Sequence, residues 1–365
     1  MKNIKITVPG RICLFGEHQD YLGLPVITSA INLVVSIEGH VTENDFFQID
    51  LPDIKSQEKI ELPVSGKELL YKRERDYFRS AINVLHRQGI ELEKGCHCRV
   101  HGNIPINSGT SSSSALTVAW VRFLLELGTG VTEKMKDPMR VAYLAHQAEV
   151  AEFGEPGGMM DHYSTAIGGL LYISFGDETK VESLNTRMGT FVLGDSGQSK
   201  DTKYVLSHVK ENVFSAIKKI KAEDNRFDLT HTVLSQLEIY KSLLNENEYD
   251  VLTGTILNRD LTWDAKEILE NNFNDKKFGQ LLTEHHHVLD KKLRISTDKI
   301  NMMLNKAIEA GAYGGKINGS GGGGCIFVYA PENPAQVARA IESVGGRAFI
   351  IHITDSLPEH NATFR

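Results

Sequence analysis

The residues Asn107-Ser108-Gly109-Thr110-Ser111-Ser112-Ser113-Ser114 open directly into Ala115-Leu116-Thr117-Val118-Ala119-Trp120-Val121. The second segment has the composition of a buried helix, so the small polar residues must sit at that helix's N-terminus. Such an end presents unpaired backbone N–H groups and the positive pole of the helix dipole, which together bind anions. Small side chains let the backbone come close to a polyphosphate, and serine hydroxyls can add hydrogen bonds or ligate magnesium. A serine-rich N-cap without any ligand is the alternative that the run alone leaves open. No G-x-x-x-x-G-K-[ST] pattern occurs anywhere in the chain, so an ordinary P-loop is excluded.

A second constraint lies near the other end, where Asn318-Gly319-Ser320-Gly321-Gly322-Gly323-Gly324 separates two strand-like segments, Gly315 to Asn318 and Cys325 to Tyr329. A tight hairpin needs one or two glycines. The surplus points to positive φ angles or to backbone held close to a ligand. Strand-like alternation runs from Lys2 to about Glu61, and a helix is predicted over Lys67 to His86. A strand follows at Cys96 to Val100, then helices over Pro138 to Phe153 and from Met159, and a strand over Leu170 to Ile173. After about Thr186 come a strand over Thr190 to Gly194 and long helical stretches between Lys203 and Gly311. The chain closes with a helix around Pro334 to Val344 and a strand over Ala348 to Ile353. The fold class is therefore α+β. Two units are expected, over residues 1–185 and 186–365, the second richer in helix.

With 365 residues and 41% hydrophobic composition, the chain can fill a substantial core in each unit. The net charge of −7 is spread along the sequence and lacks the basic field of a nucleic-acid binder. The start lacks the apolar run of a signal peptide and no stretch reaches membrane-spanning length, so no nucleic-acid or membrane partner and a cytoplasmic address are expected. Cys13, Cys96, Cys98 and Cys325 lack the spacing of a zinc site and are expected to be buried free thiols.

A third motif, Pro9-Gly10-Arg11-Ile12-Cys13-Leu14-Phe15-Gly16-Glu17-His18-Gln19-Asp20-Tyr21, precedes these two. The three motifs in this order resemble the GHMP superfamily of galactokinase, homoserine kinase, mevalonate kinase and phosphomevalonate kinase, over nearly the whole chain. The first motif looks most like the galactokinase pattern P-G-R-x-N-L-I-G-E-H-x-D-Y-x-G, matching at Arg11, Gly16, Glu17, His18, Asp20, Tyr21 and Gly23. The segment Gln147 to Asp161 also resembles galactokinase in its Ala-Glu start and Gly-x-Met-Asp end.

This resemblance implies an S5-like N-terminal α/β domain, a ferredoxin-like C-terminal α+β domain, and use of ATP and Mg2+. It implies that Gly109, Ser111, Ser112, Ser113 and Ser114 bind ATP, and that Glu149 joins Ser112 or Ser113 on the metal. Asp161 is the implied catalytic base, with Arg11 beside it and the γ-phosphate. Glu17, His18 and Asp20 would bind the sugar, and Gly319, Gly321 and Gly322 would flank the site. The implied reaction is phosphorylation of a monosaccharide, at the anomeric hydroxyl of galactose or a galactose-like sugar. Another sugar (a heptose, uronic acid or deoxysugar), a mevalonate-like alcohol, or a non-catalytic sugar sensor are the alternatives. The sequence departs from the galactokinase pattern at Cys13, Gln19 and Leu22, at His162 where Gln is usual, and across Leu193 to Thr202.

Overall fold

The computed structural model describes residues 3–62, 67–106, 109–176, 178–199 and 202–355. Asn107 and Ser108 of the serine run, and Lys200 and Asp201, lie outside them. The first sheet holds β1 (Asn3–Phe15), β2 (Val26–Val41), the hairpin β3 (Phe46–Leu51) and β4 (Ser56–Glu61), then β5 (Cys96–Gly102), β6 (Leu170–Ser174) and β7 (Lys180–Ser183). β1 pairs antiparallel with β2 along most of its length. The other edge of β2 is shared by β5 and β6. Against β1 and β2 packs α2 (Ser112–Leu127), flanked by α1 (Tyr77–Arg87), the short α3 (Glu133–Lys136), α4 (Pro138–Glu149) and α5 (Met160–Ile167).

The second sheet has the order β11-β8-β10-β9 and is antiparallel throughout, formed by β8 (Phe191–Asp195), β9 (Gly314–Ile317), β10 (Cys325–Tyr329) and β11 (Arg347–Ile351). Between β8 and β9 run α6 (Thr202–Glu223), α7 (Leu234–Leu237), α8 (Glu246–Glu270), α9 (Asp275–Lys291) and α10 (Asp298–Glu309). The helix α11 (Pro334–Ser343) links β10 to β11. This β-α-β-β-α-β order is ferredoxin-like. Side-chain caps set several helix starts: Asp137 accepts from the amides of Met139 and Arg140 ahead of Pro138, and Asn245 forms a capping box with Glu248. Among the described residues no helix is long and apolar enough to cross a membrane, and all four cysteines are buried and free.

Two boundaries differ from expectation. The helix predicted from Lys67 begins only at Tyr77. Leu69 is held beside α1 by hydrogen bonds to and from Asn83 (2.8 and 2.9 Å), Asp76 accepts from the Lys72 amide (2.9 Å), and Arg75 takes a left-handed φ of 54° that no helix interior allows. In the opposite sense, α2 begins three residues before Ala115, so Ser112, Ser113 and Ser114 form its first turn.

The core does not divide with the sheets. One apolar cluster runs from Trp120, Phe123 and Phe47 beneath the first sheet to Phe15, Phe191, Phe278 and Tyr329. Phe15 of β1 meets Phe278 of α9 edge-on at 5.8 Å and stacks on His285 at 5.5 Å. Beside this junction Lys316 of β9, fully buried, donates to the Glu17 carboxylate and to the Cys13 carbonyl (2.9 Å). Removing one partner of a buried ion pair leaves an uncompensated charge, at a typical cost of about 3–5 kcal/mol. Lys316→Met is therefore expected to lower stability in denaturant by about that amount, and Glu17→Gln in the same chain to recover part of the loss. A wild-type midpoint for the single variant would show that the pair contributes little.

Candidate active site

The serine run, the first motif and the Gly157-to-His162 segment line one open cleft. Its serine-lined end is built by backbone conformation. Gly109 has φ +91° and Ser111, the residue preceding α2, has φ +58°, which turns the chain so that the amides of the first helical turn face outward. Ser111, Ser112, Ser113 and Ser114 all line the cleft. The Ser111 hydroxyl lies buried beside the Asp161 carboxylate, whose pKa it helps to lower, yet it has no hydrogen bond of good geometry among the described residues. An orphaned hydroxyl at a helix N-terminus suits an anionic ligand.

Asp161 enters from the first turn of α5. Arg11 of β1 donates to its Oδ1 from Nε (2.8 Å) and Nη2 (2.6 Å), and from Nη1 to the Gly109 carbonyl (2.6 Å). Neither Arg11 bond uses Oδ2. Burial pushes the Asp161 carboxyl up, but the guanidinium beside it, with the hydrogen bonds it receives, outweighs burial and holds it below the usual carboxylate range. The arrangement is an ionised carboxylate clamped next to a fixed positive charge.

The remaining expected residues fall into two groups. Asp20 faces the cleft, accepting from the amides of Met160 (3.0 Å) and Tyr21 (2.9 Å); a side chain at Gly158 would collide with it, a Cβ there lying 2.0 Å from Oδ2. Burial, with the charge of Asp161 adding to it, pushes the Asp20 carboxyl up, and the two amides hold it back. His18 is fixed by the Tyr21 hydroxyl on Nδ1 (2.9 Å) and the Ser320 carbonyl on Nε2 (3.0 Å). Glu17 lies at the cleft floor, but its Oε1 is committed to Lys316 and faces the Gly319 amide at 3.4 Å. In the glycine loop Gly319 reaches the cleft, whereas Gly321 packs on Ile295 and Gly322 on Val205.

Sequence reasoning missed several partners. His162 donates from Nε2 to the Glu149 carboxylate (Oε2, 2.8 Å), both buried, and His146 packs edge-on against His162 at 5.2 Å. Burial, with the neighbouring His162 charge, pulls His146 down to about 4, so it is neutral near pH 7. Asn318 bonds the Gly109 carbonyl through Nδ2 (2.8 Å) and accepts from the Cys13 amide (2.9 Å). The available signal was a lysine and an asparagine in an otherwise apolar strand. For a metal, no group of three or more His, Cys, Asp or Glu side chains is assembled among the described residues. Magnesium bound to a nucleotide needs only one or two protein oxygens, and Glu149 with the cleft-lining serines meets that need.

Family models match in three places: GHMP kinases N terminal domain over residues 76–169, GHMP kinases C terminal over 265–347, and the galactokinase galactose-binding signature over 2–39. The chain is a GHMP kinase. The mevalonate kinase of Thermococcus sibiricus is 30% identical over 362 residues, covering 95% of both chains. The galactokinase of Thermococcus kodakarensis is 27% identical over 325 residues, covering 88% of this chain and 87% of that one. Among solved structures, the Lactococcus lactis galactokinase complexed with galactose superposes with a TM-score of 0.83 at 19% identity over 98% of this chain and 95% of that one. The Methanococcus jannaschii mevalonate kinase gives 0.73 at 21% identity, over 97% and 99%. The two-domain GHMP kinase fold follows, and with it ATP-dependent phosphorylation of a sugar or a mevalonate-like alcohol.

The clamp on Asp161 makes a testable statement about this kinase. In Arg11→Met the opposing charge is gone, burial dominates, and the Asp161 pKa rises. The acid limb of the pH profile of kcat/KM is expected to move to higher pH. An unmoved limb would remove Arg11 from control of that carboxyl.

Proposed function

We propose that this GHMP kinase transfers the γ-phosphoryl group of ATP to the anomeric hydroxyl of galactose or a galactose-like sugar. The observation that carries this reading is the Arg11–Asp161 clamp, set between the first turn of α2 and the first-motif residues His18 and Asp20. The match to the galactose-binding signature over residues 2–39 supports the sugar. The likeness to mevalonate kinases at 27–30% identity favours a mevalonate-like alcohol as the second reading.

Phosphoryl transfer passes through a loose transition state, so positioning and charge are the protein's main contributions. The amides and hydroxyls of Ser111 to Ser114 hold the β- and γ-phosphates. His18 and Asp20 orient the acceptor, and the Asp161 carboxylate takes the hydroxyl proton as the new P–O bond forms and the bond to the ADP oxygen breaks. Arg11 keeps that carboxylate ionised and faces the transferring group. Magnesium supplies neutralisation of the phosphate charge when bound, and Glu149 with Ser112 or Ser113 would hold it, His162 fixing the orientation of Glu149.

The direct test is ADP release by the purified protein with a panel of hexoses, uronic acids, heptoses and mevalonate. Galactose or a close relative should be turned over, and silence across the panel would sink the reading. In Asp161→Asn, turnover is expected to fall by about a hundredfold or more, the range for a lost general base, with nucleotide affinity by calorimetry little changed. Near-normal turnover would remove Asp161 from the role.

Glu149→Gln should raise the magnesium concentration required for half-maximal rate and for calorimetric binding of ADP, because a neutral amide is a poorer ligand for a hard cation. Unaltered magnesium dependence would reassign Glu149 to the support of α4.

A further inference from the structure

Of the five residues from Glu17 to Tyr21, four line the cleft and Gln19 does not. Gln19 is also a position where the first motif departs from the galactokinase pattern. It is fully buried and turns away from the cleft, toward α8. With its carboxamide assigned so that both ends are satisfied, it donates to the Pro25 carbonyl (2.8 Å) and accepts from the Arg259 amide (2.6 Å). Asn258, the preceding residue of α8 and buried as well, donates from Nδ2 to the Glu17 carbonyl (2.7 Å). Both chain neighbours of His18 are therefore tied to one turn of α8.

His18 itself has a φ of +62°, a left-handed conformation that residues with a side chain rarely adopt. Such strain persists only where the surroundings over-determine it. Inside the loop the Gln19 amide closes on the Gly16 carbonyl (3.2 Å), and the Leu22 and Leu24 amides close on the Gln19 carbonyl (2.9 and 3.1 Å). From outside, α8 supplies the rest. The hydroxyls on its buried face are spent within the helix, Thr255 on the Val251 carbonyl and Thr262 on the Asn258 carbonyl (both 2.8 Å), so among the described residues Asn258 is the side chain of that face that reaches the loop. Arg259 anchors the helix to the 229–232 segment, donating to the carbonyls of Leu229 (2.5 Å) and Thr232 (2.9 Å). Neither Asn258 nor Gln19 lines the cleft, so neither touches an acceptor.

We propose that Asn258 and Gln19 are positioning residues for the acceptor. By fixing the chain on both sides of His18 against α8, they hold that residue left-handed and its imidazole on the Tyr21 hydroxyl and the Ser320 carbonyl, facing the acceptor end of the cleft. A loop ordered in this way before binding loses less conformational entropy when the acceptor arrives. The proposal rests on the kinase reading above and concerns how that same site is shaped.

The test follows ADP release with whichever acceptor of the panel above the wild type uses best, in Asn258→Leu, His18→Gly and the double variant, together with calorimetric binding of ADP and a check of folding by circular dichroism. Asn258→Leu keeps the size of the side chain and removes the donor. It should raise KM for the acceptor about fivefold or more, the effect of one buried hydrogen bond, with ADP affinity changed by less than about twofold. Glycine adopts positive φ without strain, so in the His18→Gly background the loss of Asn258 should lower kcat/KM by less than about twofold. A general loosening of the loop predicts the full loss again. If Asn258→Leu does not fold, Gln19→Leu removes the other tie to α8 and is held to the same three readings. An unmoved acceptor KM, ADP binding weakened in step, or an undiminished effect in the His18→Gly background overturns the proposal and leaves the kinase reading standing. Turnover of none of the acceptors overturns both.

Discussion

The Gly109 carbonyl accepts from Arg11 Nη1 at 2.6 Å and from Asn318 Nδ2 at 2.8 Å. Those donors come from β1 and from the end of β9, so one backbone oxygen joins three segments separated by about a hundred and two hundred residues. The rest of the site depends on that junction. Arg11 grips Asp161 with two donors while its third is anchored on Gly109, and that same carbonyl is held by Asn318. A charge-assisted bond to a carbonyl in a buried setting is stronger and more directional than its exposed counterpart, and here it sets the register between two sheets with no strand pairing at that point.

Much of this was legible in the sequence because small residues and periodic apolar ones leave clear traces. The serine run marked a helix N-terminus, and the apolar Ala115-to-Val121 stretch marked the buried helix behind it; both stand as α2 and its first turn. The strands that flank the glycine run were likewise visible. What remained hidden were partners chosen by tertiary contact. His162 shows in the sequence only as a departure from a pattern, and nothing local says that it meets Glu149. Lys316 sits in a strand whose neighbours are apolar, and its buried partner Glu17 lies 299 residues away. The helix expected over Lys67 to His86 failed at its first half because the backbone amides of Leu69 and Lys72 are taken by the side chains of Asn83 and Asp76, a tertiary override of local propensity.

The glycine loop illustrates how one compositional signal can have two causes. Gly319, Gly321, Gly322, Gly323 and Gly324 all have positive φ, so the conformational argument for glycine holds at each. Only the first of them touches the cleft. For Gly321 a Cβ would lie 2.5 Å from the Ile295 Cβ, and for Gly323 3.2 Å from the Gln198 Cβ, so those positions are glycine because protein, and not ligand, comes close. Surplus glycine in a loop is a statement about crowding, and the identity of the crowding group has to come from the fold.

The apolar cluster shared by both sheets has a kinetic meaning. With Phe15 locked between Phe278 and His285, the walls of the cleft cannot swing apart like the jaws of a hinged enzyme without exposing aromatic surface to water. Any widening of the cleft between the two sheets would therefore carry the cost of wetting that aromatic junction, on the order of 25 cal/mol for each Å² exposed.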